Sequence, residues 1–223
     1  MSPDRILVAG GSGGLGSALS QLGCKALGRA DFDITDSAQT NSILETRRPA
    51  LIINAAAYTA VDQAESEPEL ARRGNATGAG LLAQACATYE IPLLHVSTDM
   101  VFDEGKPNRP VSESDWAAPR SVYGSTKLEG ETLVRASGGN TLIVRVSWLF
   151  SNENPGFVGK IFQAGTSRDQ LNVVTDEYGR PTPVRDLASW LLKLAELMVE
   201  PGKLPPLLHL GPPNPVNRME WAT

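Results

Sequence analysis

Short apolar runs alternating with stretches of helical spacing set the first reading of the chain. Arg5-Ile-Leu-Val-Ala9, Cys24-Lys-Ala-Leu27, Leu51-Ile-Ile-Asn54, Pro92-Leu-Leu-His-Val96, Thr141-Leu-Ile-Val-Arg-Val146, Leu171-Asn-Val-Val174 and Leu207-Leu-His-Leu210 read as strands. Between them, helical spacing follows Gly16 (Ala18, Leu19, Leu22) and closes a helix over Ile43 to Arg48. It recurs over Glu69 to Tyr89, Tyr123 to Ala136, Phe157 to Ala164 and Leu187 to Val199. In the 69–89 helix Leu70, Leu81, Leu82, Ala85 and Cys86 supply the apolar positions, while Gly74, Gly78 and Gly80 mark close packing. Strand–helix alternation of this kind predicts an α/β chain with a doubly wound parallel sheet, the Rossmann fold. Residues 1–150 are expected to form the dinucleotide-binding domain, completed by 184–210. Residues 151–183 and 211–223 would form a small, C-terminally shortened substrate lobe.

Length and charge narrow the function classes. The chain has 223 residues, enough for one large α/β domain with a small appended lobe. A net charge of −5 offers no general field for nucleic acid or anionic membrane, so neither is an expected partner. The N-terminus runs straight into a strand without a signal peptide, and no apolar run is long enough to span a bilayer. Cys24 and Cys86 lack metal-ligand spacing and read as buried free thiols, which fits a cytoplasmic location, and no metal site is expected. His95 and His209 lie inside strands and read as structural.

Candidate chemistry begins at Gly10-Gly-Ser-Gly-Gly-Leu-Gly16, directly after the first strand. Glycines there let the backbone turn and approach a pyrophosphate resting on the next helix N-terminus, through Gly10, Ser12, Gly13, Gly14, Leu15 and Gly16. The second strand ends in Gly28-Arg29 without a carboxylate, so Arg29 can face a 2′-phosphate and favours NADPH, with NADH as the alternative. Asp33 and Ile34 are placed to flank the adenine, and Asn54 with Ala55, Ala56, Ala57 and Tyr58 to approach the cofactor after the third strand. Ser97 and Thr98 end the fourth strand, at the carboxyl edge where open α/β sheets bind ligands. Met100 to Pro119 is a long polar loop of the kind that carries function. In Ser121-Val-Tyr-Gly-Ser-Thr-Lys127, Tyr123 and Lys127 share one helix face. A nearby ammonium favours the phenolate, so the Tyr123 pKa is expected below its ordinary value of about 10.

Taken together, the glycine loop, Asn54-Ala-Ala-Ala-Tyr-Thr-Ala-Val-Asp62, Ala64-Glu-Ser-Glu-Pro68, Ser97-Thr-Asp99, Tyr123-Gly-Ser-Thr-Lys127, Ser147-Trp148 and Asp176-x-x-Gly-x-Pro-Thr182 carry a resemblance. From about residue 5 to 221 the chain resembles the dTDP-4-dehydrorhamnose reductase branch of the extended short-chain dehydrogenase/reductase family. The resemblance implies NADPH-dependent reduction of a 4-keto nucleotide sugar, with a dTDP-sugar as substrate. By it, Tyr123 is the proton donor, Lys127 binds the nicotinamide ribose and lowers the Tyr pKa, and Thr98 bonds the reacting sugar oxygen. Ser97, Tyr123 and Lys127 would touch the cofactor, and Thr98, Asp99, Met100, Trp148, Arg180, Pro181 and Thr182 the substrate. Met100 departs from the Tyr usual in the family. The resemblance ends at Trp221-Ala-Thr223, where family members continue into the rest of their substrate lobe, so NADPH binding is expected to survive and dTDP-sugar binding to be weaker than in full-length relatives. A homodimer is also expected. Two other readings are a non-catalytic NADP-binding regulatory subunit, resembling the methionine adenosyltransferase β-subunit, and a nucleotide-sugar epimerase or dehydratase.

Overall fold

The computed structural model describes residues 1–102, 109–152, 156–199 and 203–223. Six parallel strands form the central sheet: β1 (Ile6–Ala9), β2 (Lys25–Leu27), β3 (Leu51–Asn54), β4 (Leu93–Thr98), β5 (Thr141–Val146) and, after the small strands β6 (Leu149–Phe150), β7 (Tyr178–Gly179) and β8 (Thr182–Pro183), β9 (Leu207–His209). Their order is β2-β1-β3-β4-β5-β9. A final short strand, β10 (Val216–Asn217), pairs antiparallel with β7, and β6 pairs with β8. The expected strand over Leu171–Val174 is not formed, and the pairing falls to β7 and β8 instead. Leu171 and Val173 are only partly buried and Val174 is 51% exposed, so the run lacks an apolar face to pack against.

Alternate side chains of each strand go to opposite layers, which is why the strands read as continuous apolar runs. Ile6, Val8, Leu51, Ile53, Leu94 and Val144 pack on one face with α1 (Gly14–Gln21) and, further along the chain, the helix Val184–Leu197. Leu7, Ile52, Leu93 and Ile143 pack on the other. That second face is covered by α2 (Ser37–Arg47) and by a helical run made of α4 (Pro68–Arg72), a π-helical segment (Arg73–Thr77) and α5 (Gly78–Thr88), with α3 (Val61–Ala64) just before it. The same layer holds α6 (Val122–Ala136), and the chain continues through α7 (Gly156–Gly165), α8 (Val184–Leu197) and α9 (Arg218–Ala222).

Two places differ from the periodicity. The 69–89 helix is present but interrupted by the π segment, and Leu70 before it is 51% exposed rather than aligned with Leu82. The last long helix begins three residues earlier than its apolar spacing suggests, at Val184, immediately after Pro183. Pro183 caps it in extended geometry, which a proline before the first turn favours. Within the loop expected over Met100–Pro119, residues 103–108 lie outside the described residues, and the loop opens with a 3₁₀ turn over Asp99–Phe102.

At Gly130, α6 approaches the π segment closely. A Cβ there would lie 2.2 Å from the Asn75 carbonyl oxygen, a backbone atom that cannot swing aside. Gly130→Ala is therefore expected to cost about 1–3 kcal/mol through overpacking, read as a lower urea midpoint. An unchanged midpoint would show that α6 and the π segment do not meet as described.

Candidate active site

At the carboxyl edge of the sheet, β1 turns into α1 through Gly10 and Gly13. Gly10 has φ +88°, and a Cβ on it would sit 2.6 Å from the Ala56 nitrogen, so only glycine fits between the first and third strand ends. Gly16 is equally confined, its Cβ position 2.2 Å from the Gly10 carbonyl oxygen. Gly13 and Gly14, by contrast, have space beside them, and α1 starts at Gly14 with Gly13 at its N-cap, which offers no side chain to cap the first N–H groups. A cradle of this shape, glycine-lined and closed behind by backbone, fits a pyrophosphate at a helix N-terminus.

Beside it, Ser12 lies over Gly28, and Gly11 N–H donates to the Leu27 carbonyl at 2.7 Å. Arg29 follows, with its side chain 73% exposed and its Nε 3.1 Å from Asp33 Oδ2. Asp33 is partly desolvated, which opposes ionisation, but the backbone and hydroxyl of Thr35 and the Arg29 guanidinium together hold its carboxyl below the usual range. Arg73 Nε donates to the same Thr35 hydroxyl at 3.3 Å, which places a second guanidinium beside this strand end. Ile34 is buried. After β3, Asn54 is fully buried, its Oδ1 accepting from Ala56 N–H at 3.1 Å. Tyr58 is fixed at both ends: its N–H donates to Asn75 Oδ1 at 2.8 Å, and its hydroxyl to Glu67 Oε2 at 2.7 Å.

The candidate reactive groups gather where β4 meets α6. Ser121 caps α6, its hydroxyl accepting from Gly124 N–H at 3.1 Å. Gly124 lets the Met100 carbonyl pass against the helix start, since a Cβ there would lie 2.5 Å from that oxygen. The Tyr123 phenol lies near the Thr98 hydroxyl, which donates to Asp99 Oδ1 at 3.3 Å and accepts from Met100 N–H at 3.2 Å. Asp99 sits beside them, taking the Ser147 hydroxyl at 2.6 Å, and Ser147 Oγ in turn accepts from Arg180 N–H at 3.2 Å. Burial pushes the Tyr123 phenol up to about 12, against the Thr98 hydroxyl and with the help of the Asp99 charge.

The expected lowering of the Tyr123 pKa by Lys127 is not what the structure has. Lys127 is 2% exposed, and its Nζ donates to the Val96 carbonyl at 2.8 Å. Burial pulls the ammonium down to about 8, with Glu131 opposing. Desolvation of the phenol, with the Asp99 charge, therefore sets the direction of the shift.

Ser97 also points elsewhere than expected, its hydroxyl donating to Glu131 Oε1 at 2.6 Å inside the core. Glu131 and Arg145 form a buried bidentate pair (Nε–Oε1 2.9 Å, Nη2–Oε2 2.7 Å), and Arg145 reaches His209 Nε2 at 3.4 Å. Sequence reasoning missed both Glu131 and Arg145. The available signal was Glu131 one helical turn beyond Lys127, with an Arg inside an otherwise apolar strand.

The substrate residues read from the sequence fall into two groups. Thr98, Asp99 and Met100 surround Tyr123. Trp148, Arg180, Pro181 and Thr182 lie further along the same edge, where Thr182 is fully buried with its hydroxyl on the Arg180 carbonyl at 2.8 Å. Arg180 itself donates to the Pro212 carbonyl at 3.0 Å. Trp148, at φ +46°, lies against Gly179, stacks on Trp221 at 5.3 Å and is covered by Arg218 at 3.6 Å. Arg218, also not singled out from the sequence, pairs with Glu177 at 3.1 Å. It lines a cavity of about 630 Å³ with Phe157, Lys160, Ile161 and Val174, none of them part of the Thr98–Tyr123 group. Among the described residues no group of His, Cys, Asp or Glu could hold a metal ion, and no helix is long and apolar enough to cross a membrane.

The sequence pattern of one family, described as RmlD substrate binding domain, matches residues 4–223. The chain belongs to that family. Among relatives of the RmlD family, the dTDP-4-dehydrorhamnose reductase of Streptomyces griseus is 44% identical over 204 residues, covering 87% of this chain and 67% of the relative. That of Mycobacterium tuberculosis H37Rv is 39% identical over 229 residues, covering 98% and 73%. The chain thus spans about two thirds to three quarters of the length of these relatives. The crystal structure of a dTDP-4-dehydrorhamnose reductase from Clostridium acetobutylicum superposes with a TM-score of 0.88 at 35% identity, over 97% of this chain and 77% of that one. The Bacillus anthracis enzyme, solved in complex with NADP, gives 0.87 at 32%, over 97% and 78%. The likeness thus runs over 97% of this RmlD-family chain.

The buried lysine makes a prediction about stability. The Lys127 pKa is about 8 folded, against an ordinary value of about 10.4. Between those values the unfolded chain binds more protons, so folding stability rises with pH. Burying the ammonium costs most below about pH 8, and that cost is relieved by about pH 10.4. Relative to Lys127→Met, the wild-type chain should gain on the order of 3 kcal/mol in unfolding free energy from pH 7.5 to 10. A difference that stays flat across that range would mean that the ammonium remains solvated.

Proposed function

We propose that the chain is an NADPH-dependent reductase of a 4-keto nucleotide sugar, converting dTDP-4-dehydrorhamnose to dTDP-L-rhamnose. The observation that carries the reading is the placement of Thr98 and Tyr123 together at the carboxyl end of β4, one helical turn from buried Lys127 and beside a glycine cradle. Relatives of that name at up to 44% identity support it. NADPH, when bound, supplies the hydride. The cradle from Gly10 to Gly16 would hold its pyrophosphate, Arg29 its 2′-phosphate, and Lys127 its nicotinamide ribose. With its pKa near 12, Tyr123 stays protonated through neutral pH, which is the form a reduction requires. Its hydroxyl donates a proton to the sugar oxygen as that oxygen becomes an alkoxide, and the Thr98 hydroxyl orients the same oxygen.

The division of labour along the chain is also proposed. Residues 1–150 with 184–210 would bind the dinucleotide, and 151–183 with 211–223 the sugar nucleotide. Supporting it, β10 pairs with β7, and Phe157 of α7 stacks on Trp221 of α9 at 5.2 Å, so the two late segments pack on each other. A homodimer is supported by Phe162 and Val158, one turn apart on α7 and 77% and 37% exposed. A cytoplasmic location is supported by the two free, buried cysteines.

Loss of NADPH absorbance on adding dTDP-4-dehydrorhamnose tests the reading. Tyr123→Phe should lower that rate on the order of 10²–10⁴-fold while NADPH affinity stays within a small factor, because the hydroxyl serves the sugar oxygen. A variant as fast as wild type would remove Tyr123 from the chemistry. A wild-type chain that binds NADPH but turns over no keto sugar would favour the non-catalytic binding reading.

Arg29→Ala should weaken NADPH by about 1–3 kcal/mol and leave NADH nearly unchanged, since only NADPH carries the phosphate that the guanidinium meets. Equal losses for both nucleotides, measured by titration calorimetry, would argue against the assignment.

A further inference from the structure

Asn54 and His95 face each other in register on β3 and β4, on the side of the sheet covered by α5 and α6. Both are fully buried. Asn54 Nδ2 lies 3.1 Å from His95 Nδ1, while Asn54 Oδ1 accepts from Ala56 N–H at 3.1 Å. An amide accepts through oxygen and donates through nitrogen. Because the oxygen is committed to Ala56, the group turned to His95 can only donate, and His95 Nδ1 must be an unprotonated acceptor. The ring proton then sits on Nε2, which has no hydrogen-bond partner among the described residues. Burial first, and the Lys127 ammonium second, also keep the ring neutral.

An unpaired buried N–H is a stability cost that an apolar side chain would avoid. What the imidazole supplies is the acceptor that decides which way the Asn54 amide points. Flipping the amide would face its oxygen to His95, require the other ring tautomer, and strip Ala56 N–H of its partner. Ala56 matters because the turn it fixes closes the back of the glycine cradle, with the Gly10 Cβ position 2.6 Å from Ala56 N and 2.7 Å from the Ala55 carbonyl carbon.

We propose that His95 is a positioning residue for dinucleotide binding: held as the Nε2–H tautomer, it locks the Asn54 amide and thereby seats the Ala55–Ala56 turn against the Gly10 cradle. The inference rests on the reading of that cradle as the pyrophosphate site. It assigns a role in the cofactor site to a residue that touches no cofactor.

The test uses the full 223-residue chain, with NADPH as the probe and affinity read by nucleotide fluorescence. His95→Leu removes the acceptor and is expected to weaken NADPH by about tenfold, the effect of losing one buried hydrogen bond. His95→Asn, whose Oδ1 falls near the Nδ1 position, should restore affinity to within about threefold of wild type. With Asn54→Ala as background, adding His95→Leu should produce no further loss, because the imidazole acts only through that amide. Wild-type affinity in His95→Leu, no rescue by His95→Asn, or fully additive losses would each overturn the proposal. Should His95→Leu fail to fold, ¹⁵N spectra of the wild-type imidazole decide the question. A neutral ring protonated at Nε2 from about pH 5 to 9 supports the proposal, and protonation at Nδ1 overturns it. If the wild-type chain binds no NADPH, the cradle reading fails and this proposal with it. That outcome is told apart because it shows in the unmodified protein.

Discussion

The buried pair between Glu131 and Arg145 is the constraint on which the geometry of the candidate active site depends. Both carboxylate oxygens are engaged by the guanidinium at 2.9 and 2.7 Å, and the carboxylate is fully buried. Breaking such a pair from one side would leave an uncompensated buried charge, a penalty of about 3–5 kcal/mol, so the rotation of α6 about its axis is strongly determined. Tyr123, Lys127 and Glu131 are spaced four apart on that helix and share a face. Anchoring Glu131 to β5 therefore aims the other two at the end of β4. Net stabilisation from a buried pair is small in general, and its value here lies in the orientation it enforces.

Sheet register carries the same logic sideways. The β4–β5 pairing sets Ser97 opposite Arg145, and the β5–β9 pairing sets Arg145 opposite His209. Two residues back along the strands, on the same face, Asn54 is opposite His95. Polar side chains in two adjacent rows thus cross a core that is otherwise aliphatic on that face. His209 continues the outer row to the loop: its backbone N–H donates to Glu113 Oε1 at 2.8 Å, and its ring packs edge-on against Phe102 at 5.5 Å. Phe102 in turn lies under the Arg145 guanidinium at 4.8 Å, close behind the Thr98–Asp99 turn. Loop, strand end and helix are thereby braced by one connected set of contacts.

The main sheet was legible in the sequence because parallel strands buried on both faces leave unbroken apolar runs, as in Leu51–Asn54 and Thr141–Val146. The placement of Tyr123 and Lys127 on one helix face and of Thr98 at a strand end was legible from spacing. What spacing could not give was electrostatic environment. The same Tyr–Lys pair is compatible with a lowered or a raised phenol pKa, and burial decided for the second. Nor could it show that Ser97 turns inward, since its partner Glu131 is 34 residues away. Leu171–Val174 failed as a strand because periodicity over four residues says nothing about whether a neighbouring edge exists. Small lobes with two-residue strands depend on tertiary contacts such as the Trp148–Trp221 stack, which leave no periodic trace.

The π-helical segment at Arg73–Thr77 carries a consequence for how the chain tolerates changes in length. An i→i+5 turn accommodates one residue more than an α-helical turn would, so α4 and α5 run on different angular phases of what is nominally one helix. The segment also presents Asn75, whose side chain bonds the Tyr58 backbone and Thr126 of α6. Losing a single residue there would restore regular winding and turn everything N-terminal to it by roughly 100° relative to α5. Insertions and deletions that a surface loop would absorb are in this stretch coupled to the setting of the turn at Tyr58 that follows β3. The extra residue works as a phase adjuster, and the length of the helix is fixed by geometry rather than by composition.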